Sequence, residues 1–520
     1  MRLVSLKLFP TLRRSIYKRT QQQCSTWLEP EGFMTNIKVY NPITKSKVPL
    51  ILKKDGIATW YMCGPTVYDS AHIGHACTFV RFDIIRRILS QFFNINVITA
   101  MSITDIDDKI IQRSLGSKRD WKELTKSYEK EFFEDMEFLN VVPPYLYCRV
   151  TDYIPQIIHF VGKILATNSA YIGKDGSVYF DTKKYDKYGK LYKALPSEEH
   201  SIKNSTNDFA LWKASKPGEP FWESPWGNGR PGWHIECSTI ASTIFGCPID
   251  IHSGGIDLLF PHHENEEAQS CCYHAVDQWV NYWLHSGHLY LSESQKMSKS
   301  LKNTVSVRDL LKTYSSNQFR LFCLLTHYRT GIEFSNEKMH GAIRILQKLE
   351  NFLSDCQSYV SGRLIVAYID ENLVIDTLQN TKKKVYSALT NDFDTRSALA
   401  AIEELITVVN KMLRETETKS SESVSKNIYC IAAAAEYVSK ILADLGFSEK
   451  QSSARNADQL GEIIQSFVDF RYAVRARALS LDIKDQIILK TCDEARNNLS
   501  ACGVKIKDHK NTSTWTLSQD

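Results

Sequence analysis

Residues 57–79, IATWYMCGPTVYDSAHIGHACTF, contain a strand-like run, a turn and the start of a helix. Residues 57–63 are rich in β-branched and aromatic side chains, Gly64-Pro65 is typical of a turn, and a helical pattern opens at His72-Ile73-Gly74-His75. A helix that begins where a strand ends can hold a phosphate, because its unpaired N–H groups and its dipole both favour an anion. His72 and His75 share one helix face, which suits that task, although histidines near a helix start more often have a structural role.

Outward from this stretch, short strand-like runs alternate with longer helical patterns as far as about residue 291. The runs are residues 57–63, 97–103, 248–252 and 283–291. This alternation is typical of an α/β domain with a parallel sheet. A segment rich in Pro, Gly and Lys at about 140–232 interrupts the alternation, and we expect it to be an insertion between two halves of the sheet.

Beyond about residue 335 the pattern is helical. Apolar residues recur at three- and four-residue spacing, at Leu399, Ile402, Leu405, Ile406, Val409, Met412 and Leu413 and again at Ile431, Ala434, Val438, Ile441 and Leu445. Such stripes predict the core of an all-α helical bundle and not a binding site.

Composition excludes several classes of protein. The 520 residues are 43% hydrophobic and 24% charged, the composition of an ordinary globular protein with roughly three to four domains. The uncharged stretch at residues 237–249 is shorter than the roughly 20 apolar residues of a membrane-spanning helix, so we expect no membrane association. Thirteen cysteines without a C-x-x-C pair do not resemble a disulfide framework, which favours a reducing compartment and a metal site.

The net charge of +5 comes from the beginning of the chain. Residues 1–28 carry six basic side chains and no acidic one, and the rest of the chain has 64 − 6 = 58 basic and 59 acidic residues. An acid-free, Arg-containing segment with interspersed Leu and Ile is typical of a mitochondrial transit peptide, and the alternative is a disordered basic arm. We therefore expect a location in the mitochondrial matrix.

A second basic element is Lys296-Met297-Ser298-Lys299-Ser300, in a polar stretch without regular period. Alone it reads as a solvated loop. Two lysines on a loop can, however, neutralise the charge that grows on an α-phosphate during displacement. Residues 296–331 contain seven basic residues and one acid, Asp309, which indicates that a polyanion docks nearby.

The two basic elements together resemble the paired motifs of class I aminoacyl-tRNA synthetases, and five further motifs resemble the cysteinyl-tRNA synthetase family. These motifs are YMCGPTVYD at 61–69, ITDIDDKII at 103–111, DFALWK at 208–213, GRPGWHIEC at 229–237 and FPHHENE at 260–266. The similarity extends from about residue 37 to about residue 334, and a weaker similarity is present at the C-terminus.

The resemblance implies a domain organisation. After the transit peptide at 1–28, a Rossmann-like catalytic domain would occupy 29–295 with its insertion at about 140–232. A lysine loop and stem-contact region would follow at 296–335, where His327-Tyr328-Arg329 has the expected pattern. A helical anticodon-binding domain with a short C-terminal element would complete the chain at 336–520.

The resemblance also implies one Zn²⁺ per chain, bound by Cys63, Cys237, His262 and Glu266. Two thiolates, an imidazole and a carboxylate form a plausible zinc shell. The residues alone leave the choice open, because Cys271, Cys272, His252, His263 and His274 compete and none has a finger-like spacing. Zinc would bind the substrate sulfur as thiolate, which a serine hydroxyl cannot imitate, so that no editing site is needed.

For the remaining sites, the resemblance implies that His72 and His75 bind the ATP phosphates and that Lys296 and Lys299 stabilise the transition state, with Lys299 also contacting the nucleotide. Gly64, Thr66, Trp233 and Asp257 would form the cysteine pocket, the alternative for each being core or helix packing. Mg²⁺ would accompany ATP. Some family members are said to use pyridoxal phosphate near the segment that corresponds to 109–111, where Gln112 departs from the usual lysine.

The implied function is ligation of cysteine to the 3′ end of tRNA(Cys) through cysteinyl-adenylate in mitochondrial translation. In the helical region, Lys382–Lys384 and Arg471, Arg475 and Arg477 could contact tRNA phosphates, and Trp515 could stack on an unpaired base, whereas a solvated face is the alternative for each cluster. Two other functions remain open: a tRNA-independent ligase that adenylates cysteine and delivers it to a small amine, and a non-catalytic zinc-containing RNA-binding protein. The long helical region argues against the small-amine ligase. The sequence leaves the oligomeric state open.

Overall fold

The computed structural model describes residues 27–193, 202–291, 295–296, 305–362, 364, 368–414, 427–448, 452–480, 485–508 and 513–517. These residues form two compact units, Met1–Gly446 and Phe447–Asp520. Lys299 and most of the expected transit peptide lie outside the described residues. For Lys296 the structure describes the backbone only.

The strands of the first unit are β1 (Phe33–Asn41), β2 (Ser46–Leu52), β3 (Ile57–Met62), β4 (Asn96–Ile103), β5 (Leu146–Arg149), β6 (Ala170–Ile172), β7 (Val178–Phe180), β8 (Phe209–Ala214), β9 (Gly229–Pro231), β10 (Ile249–Gly255), β11 (Val280–Ser286), β12 (Leu289–Leu291), β13 (Gln295–Lys296) and β14 (Ile332–Phe334). Its helices are α1 (Ile73–Arg87), α2 (Asp108–Ser117), α3 (Trp121–Phe138), α4 (Ile154–Ala166), α5 (Trp233–Phe245), α6 (Glu264–His274), α7 (Val307–Thr313), α8 (Ser316–Leu324), α9 (Asn336–Val360), α10 (Glu371–Thr390), α11 (Thr395–Arg414) and α12 (Ile428–Asp444).

A parallel sheet with strand order β11-β10-β3-β4-β5 forms the centre of this unit. The predicted α/β fold with a parallel sheet is therefore confirmed. Most residues of β4, β10 and β11 are buried, as expected for a sheet covered on both faces.

Two details of the sheet differ from the sequence analysis. The predicted run 283–291 is two strands, β11 and β12, which break at Gly287 because its N–H donates to the carbonyl oxygen of Tyr328. A Cβ at Gly287 would lie 2.3 Å from the carbonyl carbon of Thr330. Only a glycine at this position therefore allows the two backbone segments to approach so closely. β5, within the segment expected as an insertion, is a strand of the central sheet.

The chain between β5 and β10 carries a second sheet. Its strands, in order β6-β7-β8-β9, are antiparallel. Asp108, at the start of α2, ties this sheet to the parallel one, because its carboxylate accepts hydrogen bonds from Lys213 of β8 at 2.7 Å and from Arg230 of β9. Three of the quoted motifs thus contribute to one structural joint.

The helical region of the first unit packs as the spacing predicts. The apolar stripe of α11 is buried from Leu399 to Leu413, and so is the stripe of α12 from Ile431 to Ile441. None of the helices in the described residues combines the length and apolarity that crossing a membrane requires.

The second unit consists of α13 (Ser452–Leu479), α14 (Gln486–Ala501) and the antiparallel hairpin of β15 (Val504–Asp508) and β16 (Ser513–Leu517). Arg471, expected as a possible phosphate contact, is 2% exposed and bound to the carboxylate of Asp508 at 2.7 Å and to the carbonyl oxygen of Cys492. Its guanidinium is therefore a structural group, and the expectation is wrong for this residue. Trp515 donates from its indole N–H to Gln465 within the same unit.

Candidate active site

A cavity of about 520 Å³ opens at the carboxyl ends of the parallel strands. This is the edge of an open α/β sheet where ligands bind. Seven of the expected site residues line it: Cys63, Gly64, Thr66, His72, His75, Trp233 and Asp257.

The N-terminus of α1 forms one wall of the cavity. His72 is the N-cap residue: its Nδ1 accepts a hydrogen bond from the backbone N–H of His75 at 3.3 Å, and Nδ1 of His75 accepts one from the backbone N–H of His72 at 3.4 Å. The two rings stack with centroids 3.7 Å apart. The reciprocal cap fixes both imidazoles at the helix end that favours an anion.

Both described ends of the lysine-loop segment lie beside this wall. Lys296 pairs through its backbone with Tyr290 of β12, whose neighbours His288 and Leu289 line the cavity. After the loop, the carbonyl oxygen of Val305 accepts from the N–H of Ile73, at the first residue of α1.

Four potential metal ligands meet next to the cavity. The ligand atoms of Cys63, Cys237, His262 and Glu266 lie within 4.8 Å of one another, and the side chains are buried. The two Sγ atoms are 3.7 Å apart, and Nε2 of His262 is 2.9 Å from Oε1 of Glu266. Cys63 follows β3, Cys237 lies on α5, and His262 and Glu266 flank the start of α6.

A second set of four overlaps the first. Cys63, His252, His263 and Glu266 also have ligand atoms within 4.8 Å of one another. His252 Nε2 lies 2.9 Å from Oε2 of Glu266, and His263 Nε2 lies 3.5 Å from Sγ of Cys63. Among the described residues, Cys271, Cys272 and His274 belong to neither set. The structure thus retains two of the competitors that the sequence left open.

The charges of the cluster are adjusted by the buried imidazoles. Burial opposes ionisation of Glu266, yet the charges of His252 and His262 lower the pKa of its carboxyl to about 2. A hydrogen bond from Cys63 lowers the pKa of the Cys237 thiol to about 5, against the effect of burial. Burial raises the pKa of the Cys63 thiol. The cluster therefore already contains the anionic donors that a cation would need.

Residues of the expected cysteine pocket have different environments. Trp233, at the start of α5, is 37% exposed and stacks on His262 with centroids 4.3 Å apart. Asp257 lies 4.0 Å from Nδ1 of His288. A Cβ on Gly64 would lie 1.7 Å from the carbonyl oxygen of Ser102, so the turn after β3 can pass β4 only with a glycine there.

Several cavity and cluster residues were not identified from the sequence. Tyr68, Thr78, Lys109 and His288 line the cavity. His234 and His285 extend the imidazole network, since Nδ1 of His234 is 2.9 Å from Nδ1 of His262 and Nε2 of His285 is 2.8 Å from Nδ1 of His263. Most of these residues follow strand ends or lie inside the quoted motifs, which was the available signal.

The His327-Tyr328-Arg329 segment, expected to contact a tRNA stem, surrounds a buried carboxylate. Asp392, between α10 and α11, accepts from the Tyr328 hydroxyl at 3.0 Å, from Arg329 Nε at 2.8 Å and from the backbone N–H of Tyr40 at 3.0 Å. These contacts join the helical region to β1 and to the segment before β14.

Comparisons with known proteins agree with the geometry. A family model described as the class I (C) tRNA synthetase catalytic domain matches residues 50–344. The chain is 44% identical to a probable mitochondrial cysteine–tRNA ligase of Xenopus tropicalis, covering 94% of this chain and 91% of that one. It is 39% identical to a cytoplasmic cysteine–tRNA ligase of Dictyostelium discoideum over 96% and 80% of the two chains. It is 40% identical to the cysteine–tRNA ligase of Thermococcus gammatolerans over 92% and 98%.

Solved structures share the fold. A methionyl-tRNA synthetase of Mycobacterium tuberculosis in complex with methionyl-adenylate has a TM-score of 0.61 at 16% identity, covering 75% of this chain and 91% of that one. A putative arginyl-tRNA synthetase of Campylobacter jejuni has a TM-score of 0.55 at 11% identity, covering 76% and 93%. The Rossmann-like class I fold expected from the sequence is thus confirmed, and the chain belongs to the cysteine–tRNA ligase family of class I aminoacyl-tRNA synthetases.

Proposed function

We propose that the chain activates cysteine with ATP, forming cysteinyl-adenylate and pyrophosphate, and then transfers the cysteinyl group to the 3′ end of tRNA(Cys). Class I aminoacyl-tRNA synthetases use ATP, an amino acid and tRNA as substrates. The observation that carries the proposal is that one cavity adjoins both the start of α1, which suits a phosphate, and a cluster with two thiols, of which Cys63 lines the cavity. Mg²⁺ would accompany the ATP.

Cys63, Cys237, His262 and Glu266 are the set that we propose as zinc ligands. They supply two sulfurs, one nitrogen and one oxygen, whereas the overlapping set supplies one sulfur. His262 turns Nδ1 to His234 and Nε2 to the cluster, as ligating histidines do when a second group orients the ring. His263 is oriented in the same way, with Nδ1 toward His285 and Nε2 toward Cys63, so our choice between the sets rests on the second sulfur.

The donors present fit zinc, because thiolate, imidazole and carboxylate are its usual ligands, and a zinc ion with four protein ligands can become five-coordinate when a substrate binds. Bound there, zinc would supply a Lewis acid that accepts the thiolate of cysteine and gains little from a serine hydroxyl. Cys63 lines the cavity, so the cluster has a side that faces the substrate.

The other residues bind and orient the substrates. His72 and His75 hold the ATP phosphates at the start of α1, and Lys296 and Lys299 stabilise the charge that develops on the α-phosphate. Trp233 forms the wall of the cysteine pocket. Thr66 and Asp257 hold the polar groups of the amino acid, and Gly64, which lets the turn pass β4, lines the pocket beside Thr66. No feature of the described residues supports pyridoxal phosphate as a cofactor.

We assign tRNA(Cys) as the acceptor and the mitochondrial matrix as the location. The similarity to cysteine–tRNA ligases covers more than nine tenths of the chain, including the helical region, which supports a tRNA acceptor over a small amine. Within 336–520 the helical region would bind the anticodon, and 296–335 would contact the stem. The location rests on the acid-free basic segment at 1–28 and on the mitochondrial relative, since a cytoplasmic relative is also similar.

The test is cysteine-dependent exchange of pyrophosphate into ATP, with zinc content measured on the same sample. Cys237→Ser should abolish both exchange and bound zinc. Cys271→Ser is the matched control: Cys271 is also buried, lies on α6 and donates to Glu267 at 3.5 Å, a hydrogen bond that serine can keep. Undiminished exchange in Cys237→Ser would overturn the zinc assignment, and a tRNA-independent transfer to an amine would overturn the acceptor.

A further inference from the structure

Two buried cysteines face each other outside the proposed active site. Cys77 lies on α1, two residues after His75, and Cys323 lies on α8. The thiol of Cys323 donates to Sγ of Cys77 at a sulfur–sulfur distance of 3.9 Å. Each residue is 1% exposed. A disulfide has its sulfurs about 2.05 Å apart, so an approach of roughly 2 Å separates the pair from a covalent bond.

Two buried arginines accompany the thiols. Arg81 follows Cys77 by one helical turn on α1, and Arg320 precedes Cys323 by nearly one turn on α8, so each shares a helix face with its cysteine. Both side chains are almost fully buried, Arg81 at 2% and Arg320 at 1% exposure. Among the described residues, Nε and Nη2 of Arg81 and Nε of Arg320 are buried without a hydrogen-bond partner.

These cations act on the sulfurs. The hydrogen bond from Cys323 and, to a smaller extent, the charge of Arg81 lower the pKa of the Cys77 thiol to about 7, against the opposing effect of burial. Burial raises the pKa of the Cys323 thiol. The pair therefore has one thiol suited to become the attacking thiolate and one that keeps its proton.

We propose that Cys77 and Cys323 are a redox site that forms an intramolecular disulfide on reaction with a hydroperoxide. The Cys77 thiolate attacks the terminal peroxide oxygen and the O–O bond breaks, giving a sulfenic acid and either hydroxide from hydrogen peroxide or alkoxide from an organic hydroperoxide. The Cys323 sulfur then attacks the sulfenic sulfur, forming the S–S bond and releasing the oxygen as water, which takes the thiol proton. Two thiols lose two electrons, and the peroxide gains them. A dithiol reductant reverses the reaction.

The low exposure of both sulfurs sets the rate and the outcome. Oxidation is slow, because the peroxide reaches Cys77 only when α1 and α8 separate locally. Once it has reacted, Cys323 lies next to it, so the disulfide forms in preference to further oxidation. The bond ties α8 to the helix whose first turn holds His72 and His75.

The consequence for activity rests on the proposed function, whereas the bond itself does not. Displacing a positioned group by about 1 Å can cost roughly 100-fold in rate, so we expect the pyrophosphate exchange of the oxidised protein to fall by about tenfold or more. The chemical readout remains valid if the chain catalyses another reaction.

The experiment treats the full-length, zinc-loaded protein with hydrogen peroxide, alkylates the remaining thiols after denaturation, and maps the peptides by mass spectrometry. The expected product is a peptide pair linked through Cys77 and Cys323, with the loss of two hydrogens, that disappears on reduction with dithiothreitol. Cys323→Ala and Cys77→Ala should each abolish it. Cys356→Ala is the matched control, because Cys356 is equally buried but lies on α9.

Activity separates this site from the proposed metal ligands. Cys63 and Cys237 have sulfurs 3.7 Å apart and can also be oxidised. If the dithiol acts as proposed, peroxide lowers pyrophosphate exchange more in the wild type and in Cys356→Ala than in Cys323→Ala. Dithiothreitol then restores the lost exchange and removes the difference between the variants. Full alkylation of Cys77 and Cys323 after peroxide treatment, or equal loss of exchange in all variants while no linked peptide forms, overturns the proposal.

Discussion

Asp135 on α3 provides a stability test that depends on pH. Its side chain is 1% exposed, and Oδ1 lies 3.4 Å from Nε of Arg308 at the start of α7. Oδ2 is buried without a hydrogen-bond partner among the described residues. Burial and the charge of Glu131 raise the pKa of this carboxyl from 3.8 to about 6, against the opposing effect of Arg308.

The sign of the effect follows from linkage. Because the folded protein binds this proton more tightly than the unfolded chain, the free energy of unfolding falls as pH rises from about 4 to about 6, and this contribution is constant above that range. A rise of about two pKa units corresponds to a penalty of roughly 3 kcal/mol at neutral pH. This net penalty already includes the attraction of the half-exposed Arg308 for the ionised carboxyl.

Asp135→Asn should therefore stabilise the protein by about 3 kcal/mol at pH 7.5 and by only about 1 kcal/mol at pH 4.5, where the folded carboxyl is protonated. Because the unit that contains Asp135 extends to Gly446, we expect a rise of about 1 °C in the melting temperature per kcal/mol, measured by differential scanning fluorimetry at both pH values. Glu134→Gln is the control, because Glu134 binds the same arginine at 2.6 Å from an exposed position. An equal shift at pH 4.5 and pH 7.5 would refute the reasoning.

Three further predictions concern other joints of the fold. Asp392→Asn should raise the KM for tRNA in aminoacylation while leaving pyrophosphate exchange unchanged, because the Asp392 carboxylate binds Arg329 and so joins the helical region to the rest of its unit. An equal loss in both assays would contradict this. Lys190→Met should lower the free energy of unfolding by about 3–5 kcal/mol, measured as a lower melting temperature, because Glu267, whose side chain is 1% exposed, loses its ion-pair partner. A double variant that also carries Glu267→Leu should recover most of this loss. A chain that begins at residue 29 should have a lower melting temperature than one that begins at Trp27, because the indole N–H of Trp27 donates to the carbonyl oxygen of Asn281. Equal melting temperatures would show that this contact does not stabilise the fold.

The sequence predicted the parts of the fold that depend on periodicity. The strands of the central sheet and the buried stripes of α11 and α12 follow from local spacing, and local spacing is visible in one chain. The break between β11 and β12 does not follow from it, because Gly287 meets Tyr328 across 41 positions of sequence. A close approach of distant backbones leaves no local pattern.

The metal cluster shows the same limit. The resemblance placed Cys63, Cys237, His262 and Glu266 together, and the structure brings their ligand atoms within 4.8 Å. Spacing alone could not have ranked them, because the ligands come from the turn after β3, from α5 and from the start of α6. Nor could spacing predict that His252 of β10 contacts the same glutamate. The alternation along a strand indicates which face of the sheet a side chain is on, but not which residue it contacts.

Charged residues were the least predictable. Arg471 belongs to a basic cluster in the sequence, yet its side chain is buried against Asp508 on the C-terminal hairpin. Whether an arginine faces solvent or a buried carboxylate depends on tertiary pairing, which net charge and local clustering do not report.

The central claim is that Cys63 and Cys237 hold one metal whose open position accepts the sulfur of cysteine. X-ray absorption at the zinc edge of the purified protein, with and without cysteine, tests it directly. We predict one zinc per chain with two sulfur neighbours at about 2.3 Å, rising to three when cysteine is added and staying at two with serine. A zinc with a single protein sulfur, or a sulfur count that cysteine does not change, would contradict the account.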